Sequence, residues 1–159
     1  MTVVSSQTDT ANLTLTVASE FDAPVERVWR VIADPRTLER WWGPPMWPAT
    51  FTQHDLTPGG TSRYYMTGPD GQRAYGWWTT LAVEPPHRLE LDDGFSGDDG
   101  EPLPGEEPIR MVMTLEAVGQ GTRLTIVSTF VSKEQLAKVS DMGMEEGLTL
   151  ALSQIDDLL

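Results

Sequence analysis

The chain contains no cysteine. A disulfide framework, thiolate chemistry and a thiolate metal site are therefore excluded. Only two histidines occur, His54 and His87. Without a carboxylate at ligand spacing they make no metal signature, and neither a metal nor a cofactor is expected. There is no Gly-x-Ser-x-Gly elbow and no glycine-rich phosphate loop. No apolar run approaches about 18 residues, so no membrane-spanning helix is expected. Positive charge is scarce as well: Lys and Arg number 11 against 24 Asp and Glu, a net charge of −13. The basic residues are scattered singly, which argues against nucleic acid and anionic membrane surfaces as partners. Residues 1–11 hold neither a basic residue nor an apolar core, unlike a secretory signal. They are rich in Ser and Thr and are expected to form a disordered lead-in, and a cytoplasmic location follows as the expectation.

What is present suffices for one folded domain. A chain of 159 residues buries about 68–70% of its unfolded surface, enough for a core without staples. Residues 12–159 are expected to be that single domain. Six tryptophans occur, and four of them form the adjacent pairs Trp41-Trp42 and Trp77-Trp78. Alternation over 12–20 predicts a half-buried strand. Asp22 and Pro24 then open a short helix carrying Val25, Val28, Trp29 and Ile32, and Asp34-Pro35 opens a second one carrying Leu38, Trp41 and Trp42. Hairpin punctuation follows. Strands are expected near 49–56, 61–67, 73–83, 87–92, 108–117 and 122–131, separated by Gly- and Pro-rich turns.

The last stretch, Ser132 to Leu159, reads as one long amphipathic helix that covers the sheet. Ser132 and Gln135 have capping-box spacing. Met144, Leu148, Leu152, Ile155 and Leu159 form an apolar stripe at helical period. Beside it runs a row of small residues, Gly143, Gly147 and Ala151. Each interior glycine costs about 0.5–1 kcal/mol relative to alanine, so that row predicts a close approach by a sheet or a ligand.

Residues 92–107 hold seven acids, four glycines and no base. They read as a solvated, mobile hairpin loop, and the spacing does not fit an EF-hand calcium site. A gate at a cavity mouth is compatible with the same reading.

Several motifs in order resemble one family. Glu20-Phe21-Asp22-Ala23-Pro24-Val25-Glu26-Arg27-Val28-Trp29 resembles the opening motif of the START-like (SRPBCC) superfamily. Asp34-Pro35 followed by Trp41-Trp42-Gly43-Pro44 is similar to its branch homologous to the C-terminal domain of the activator of heat shock protein 90 ATPase. Asp55-Leu56-Thr57-Pro58-Gly59-Gly60, Gly68-Pro69-Asp70-Gly71, Glu84-Pro85-Pro86-His87-Arg88-Leu89 and Met142-Gly143-Met144-Glu145-Glu146-Gly147 add to the likeness, which spans residues 12–159. The resemblance implies an α+β helix-grip fold: a curved antiparallel β-sheet wrapped around a long C-terminal α-helix, with two short helices after the first strand. It also implies a hydrophobic cavity between sheet and helix. Its members bind lipids or other apolar small molecules, some cyclise polyketides, and one eukaryotic branch stimulates a chaperone ATPase.

Three functions are therefore carried forward. The first is binding of a small hydrophobic or aromatic molecule in the cavity. The second is a protein-interaction module acting on a chaperone ATPase, and the third is a cyclase- or hydrolase-type enzyme. The candidate cavity residues are Trp41, Tyr64, Met66, Trp78, Met113, Met142, Gly143, Gly147 and Ala151. One member of each Trp or Tyr pair points inward, and the alternation alone does not say which. The acid–base candidates are Glu90, Tyr64 and His87. Arg63, Glu90 and Arg110 are charged strand residues that would need a partner if turned inward. A monomer or a homodimer fits equally, with Trp42 or Trp47 as a possible dimer contact if exposed.

Overall fold

The computed structural model describes residues 3–159. Eight strands form one antiparallel sheet in the order β1-β2-β8-β7-β6-β5-β4-β3. They are β1 (Val3–Asp9), β2 (Thr14–Phe21), β3 (Ala49–His54), β4 (Thr61–Thr67), β5 (Arg73–Glu84), β6 (Arg88–Phe95), β7 (Ile109–Val118) and β8 (Gly121–Thr129). The helices are α1 (Val25–Ala33), α2 (Pro35–Leu38), α3 (Lys133–Asp141) and α4 (Met144–Ser153), and a 3-10 turn at Ile155–Leu158 follows. Register shifts between Phe51 and Gln53 and between Thr80 and Ala82 are irregularities of the kind that bend and twist a sheet. This is the expected helix-grip fold, and no helix among the described residues is long and apolar enough to cross a membrane.

Strand alternation decides the core. Leu15 and Val17 on β2, Leu89 and Leu91 on β6, Met111, Met113 and Leu115 on β7, and Leu124 and Ile126 on β8 are all buried. From the helices come Val28 and Ile32, Leu38, Leu148 and Leu152. Asp34 caps α2 by accepting from Arg36 N at 2.9 Å, with Pro35 in its first turn. Ser132 caps α3 by accepting from Gln135 N at 3.1 Å, and the Gln135 side chain accepts from Val131 N at 2.9 Å.

Two expectations are corrected here. Residues 1–11 are not a disordered lead-in where they are described: Val3–Asp9 is an edge strand paired in register with β2, from Val3↔Glu20 to Asp9↔Thr14. Its residues Ser5, Ser6, Gln7 and Thr8 are exposed. The strand is held by its backbone ladder with β2, and α4 packs near it. Met1 and Thr2 lie outside the described residues. The second correction concerns the stretch from Ser132, which is not one uninterrupted helix. Gly143 adopts φ 81 and ψ 28 between α3 and α4, a left-handed conformation that favours glycine, and the chain changes direction there.

Candidate functional site

A cavity of about 380 Å³ lies between the sheet and the C-terminal helices. Inward positions of four strands line one side: Tyr64 and Met66 on β4, Ala74 on β5, Asp93 and Phe95 on β6, Ile109 and Met111 on β7. Trp42, Pro44 and Trp47, from the segment after α2, close one end. Val139 on α3, Met142 and Gly143 at the bend, and Met144, Gly147 and Leu148 on α4 form the roof. A Cβ built on Gly147 would meet nothing within 4 Å. The glycine on the helix therefore faces open space, not a tightly packed strand.

The wall is mostly apolar, with the Tyr75 hydroxyl on β5 and one hydrogen-bonded polar pair. Tyr64 Oη donates to Asp93 Oδ1 at 2.8 Å. Tyr64 reaches across the sheet because Gly76, its register partner on β5, has no side chain. A Cβ on Gly76 would lie 2.4 Å from Tyr64 Oη and Cζ. Next to this pair stand two buried indoles. Trp42 and Trp78 meet edge to face with ring centroids 4.9 Å apart. Their Nε1 atoms are buried without a hydrogen bond of full geometry, yet the Trp78 indole lies close enough to Asp93, and the Trp42 indole to Tyr64, to affect their titration.

Burial pushes the Asp93 carboxyl up to about 7, against the opposing pull of the Tyr64 hydroxyl and the Trp78 N–H. Burial, reinforced by the Asp93 charge and hydrogen bond, pushes the Tyr64 hydroxyl well above its ordinary value. A carboxyl that titrates near neutrality in an apolar wall can exchange a proton or pair with a ligand cation.

The expected site residues divide into two groups. Tyr64, Met66, Met142, Gly143 and Gly147 are at the cavity. Trp41, Trp78, Met113 and Ala151 are not: each is at most 1% exposed in the packed core. Trp41 Nε1 donates to Val31 O at 2.7 Å, which turns that indole toward α1 and leaves its neighbour Trp42 for the cavity. Trp78 lies behind Trp42, Met113 sits one inward position deeper than Met111, and Ala151 is one helical turn past Gly147, where α4 packs on β1 and β2.

Two acid–base candidates also lie elsewhere. Glu90 bonds Arg88 at 3.0 Å and Arg110 at 3.3 Å, away from the cavity. His87 is exposed in a turn and contacts Leu115 O at 3.3 Å. Arg63 is engaged by Gly100 O and Glu101, and Arg110 by Asp92 and Glu90. Trp42 is only 5% exposed, so it is not a surface contact for a dimer.

Trp42, Trp47, Asp93, Phe95, Ile109 and Met111 line the cavity without having been singled out as ligand-binding residues. Asp93 is the most informative of them. It belongs to β6, which runs on to Phe95, three residues beyond its expected end. The alternation Leu89, Leu91, Asp93, Phe95 places it on the inward face, but its membership of an acidic run suggested solvent. The remaining loop is tied down, not free. Ser96 bridges Pro102, Glu106 pairs with Lys138 at 2.6 Å, and Gln135 Nε2 donates to Glu107 O at 2.7 Å.

The fold recurs in solved structures across its whole length. The crystal structure of protein Ms6760 from Mycobacterium smegmatis is 46% identical with a TM-score of 0.92, over 99% of this chain and 97% of that one. A protein from Arthrobacter aurescens solved by NMR is 51% identical with a TM-score of 0.92, over 97% and 90%. Protein NE0264 from Nitrosomonas europaea is 27% identical with a TM-score of 0.82, over 94% and 95%. No curated protein matches the chain. The family model described as Activator of Hsp90 ATPase homolog 1-like protein matches residues 22–159, and the chain therefore belongs to that family.

Proposed function

We propose that this protein binds a small hydrophobic or aromatic molecule in the cavity between the sheet and helices α3 and α4. The observation that carries the reading is the cavity itself. Its 380 Å³ is more than twice the roughly 150 Å³ that accommodates one benzene ring. Aromatic and methionine side chains line it around a few polar groups, Tyr64, Tyr75 and Asp93, the composition expected of small-molecule sites. The opening left by Gly147 gives the small-residue row on the helix a use beyond close packing.

The test is a thermal-shift and native mass spectrometry panel of aromatic and aliphatic metabolites, run beside Gly147→Met. That substitution places a flexible side chain in the cavity and leaves the core untouched. The expected result is a ligand that raises the melting temperature of the wild type and not of the variant. Equal response of both proteins, or response to no apolar ligand, would overturn the proposal.

A further inference from the structure

One polar point in the cavity wall is a carboxyl with no cation beside it. Among the described residues lining the cavity, Asp93 is the only one with a carboxylate and none is basic. The arginines of the neighbouring strands are engaged elsewhere: Arg63 with Glu101, Arg110 with Asp92 and Glu90, and Arg73 over the Tyr65 ring at 4.2 Å. The other groups around Asp93 offer it little charge. β4 contributes Tyr64, and the inward faces of β5 and β7 present Gly76, Trp78, Ile109 and Met111. On α3, Lys138 lies 6.0 Å from the Phe95 ring and is held by Glu106. On α4, Glu146 lies beside Gly143. Asp93 is half-buried, and a carboxylate held in an apolar wall without a counter-ion is poorly stabilised, so a cation supplied from outside would be favoured there.

Resting on the cavity-binding reading, we infer that the ligand is an organic amine: an apolar, preferably aromatic body carrying a protonated nitrogen that pairs with Asp93. Tyr64 fixes one carboxylate oxygen by its hydrogen bond. The rings of Trp42, Trp47 and Phe95 line the same wall, and an aromatic ring attracts a cation that approaches its face. An anionic ligand would meet repulsion from Asp93 and from a chain of net charge −13, whereas the same field draws cations in.

The test uses three matched probes, 2-(2-naphthyl)ethylamine, 2-(2-naphthyl)ethanol and 2-naphthylacetate, titrated by calorimetry into the full chain. At a pH of about 8.5, with Asp93 ionised, the amine should bind at least about ten-fold more tightly than the alcohol, with naphthylacetate weakest. At a pH of about 5.5, with Asp93 protonated, the advantage should vanish. Asp93→Asn, which keeps an oxygen for Tyr64, should bind amine and alcohol alike at both pH values. Alcohol binding without amine preference would overturn this inference and leave the cavity-binding reading standing. An amine preference that persists in Asp93→Asn would assign it to the acidic surface and overturn the inference as well. Failure of every probe to bind would count against both.

Discussion

At the scale of single residues, the wall of the cavity depends on a tyrosine, an aspartate and an absent methyl group. The folded state holds the Asp93 carboxyl at about 7, above its ordinary value near 4. Between those values the unfolded chain has released the proton and the folded chain retains it, so the folded state binds more protons and stability falls as pH rises. Above about 7 both states are ionised and the penalty is constant, of order a few kcal/mol at most. Asp93→Asn removes it. Urea midpoints measured from pH 4 to 8 should show the variant gaining on the wild type through this window and holding its gain above it; a constant difference would refute the assignment. Gly76→Ala probes the same pair from beneath. Its new methyl would displace the Tyr64 ring at an expected cost of about 1–3 kcal/mol. The lost hydrogen bond should raise the Asp93 titration further, since the Tyr64 contact lowers it, as carboxyl carbon NMR would read. Alternation from Leu89 already carried the inward placement of Asp93. What hid it was context: a run of acids usually marks solvent, and this strand extends into the run.

At the scale of the element, the C-terminal stretch shows what a pattern in sequence does and does not carry. The apolar stripe was readable because its spacing is enforced by burial: Leu148, Leu152 and Ile155 are all buried. The small-residue row looked uniform, yet its members do three different things. Ala151 packs in the core, Gly147 opens onto the cavity, and Gly143 turns the chain with positive φ. Spacing cannot distinguish these roles, because a glycine chosen for φ and one chosen for room are the same residue. Alanine substitution separates them. Gly143→Ala forces a Cβ into the left-handed region and should destabilise by about 1–2 kcal/mol. Gly147→Ala meets open space in a helix interior and should be neutral or stabilising by up to about 1 kcal/mol. Equal losses in chemical denaturation would show that both glycines serve close packing. The adjacent tryptophans illustrate the same limit. Both follow Leu38 at helical spacing, and only the hydrogen bond from Trp41 to Val31 O decides which one is left to the cavity.

At the scale of the whole molecule, topology was the most readable feature, since hairpin turns name their own partners and six consecutive strands could be ordered from punctuation alone. β1 is the strand least legible in the sequence, because Ser5 to Thr8 in it are polar and exposed. Val3–Asp9 pairs along its length with β2, and its turn is held by Asp9, whose carboxylate accepts from the backbone N–H groups of Ala11 and Asn12 at 3.0 and 3.1 Å. The strand caps one end of the sheet, while β3 forms the other. Removing it would strip β2 of its outer ladder and take away part of the surface on which α4 rests. An uncovered edge of this kind is a template for pairing with another chain. A chain beginning at Asn12 should therefore unfold at lower urea concentration than the full chain and self-associate with rising concentration, as sedimentation velocity would detect. If the shortened chain keeps the midpoint and stays as monodisperse as the full chain, β1 contributes no edge protection and the domain proper begins at β2.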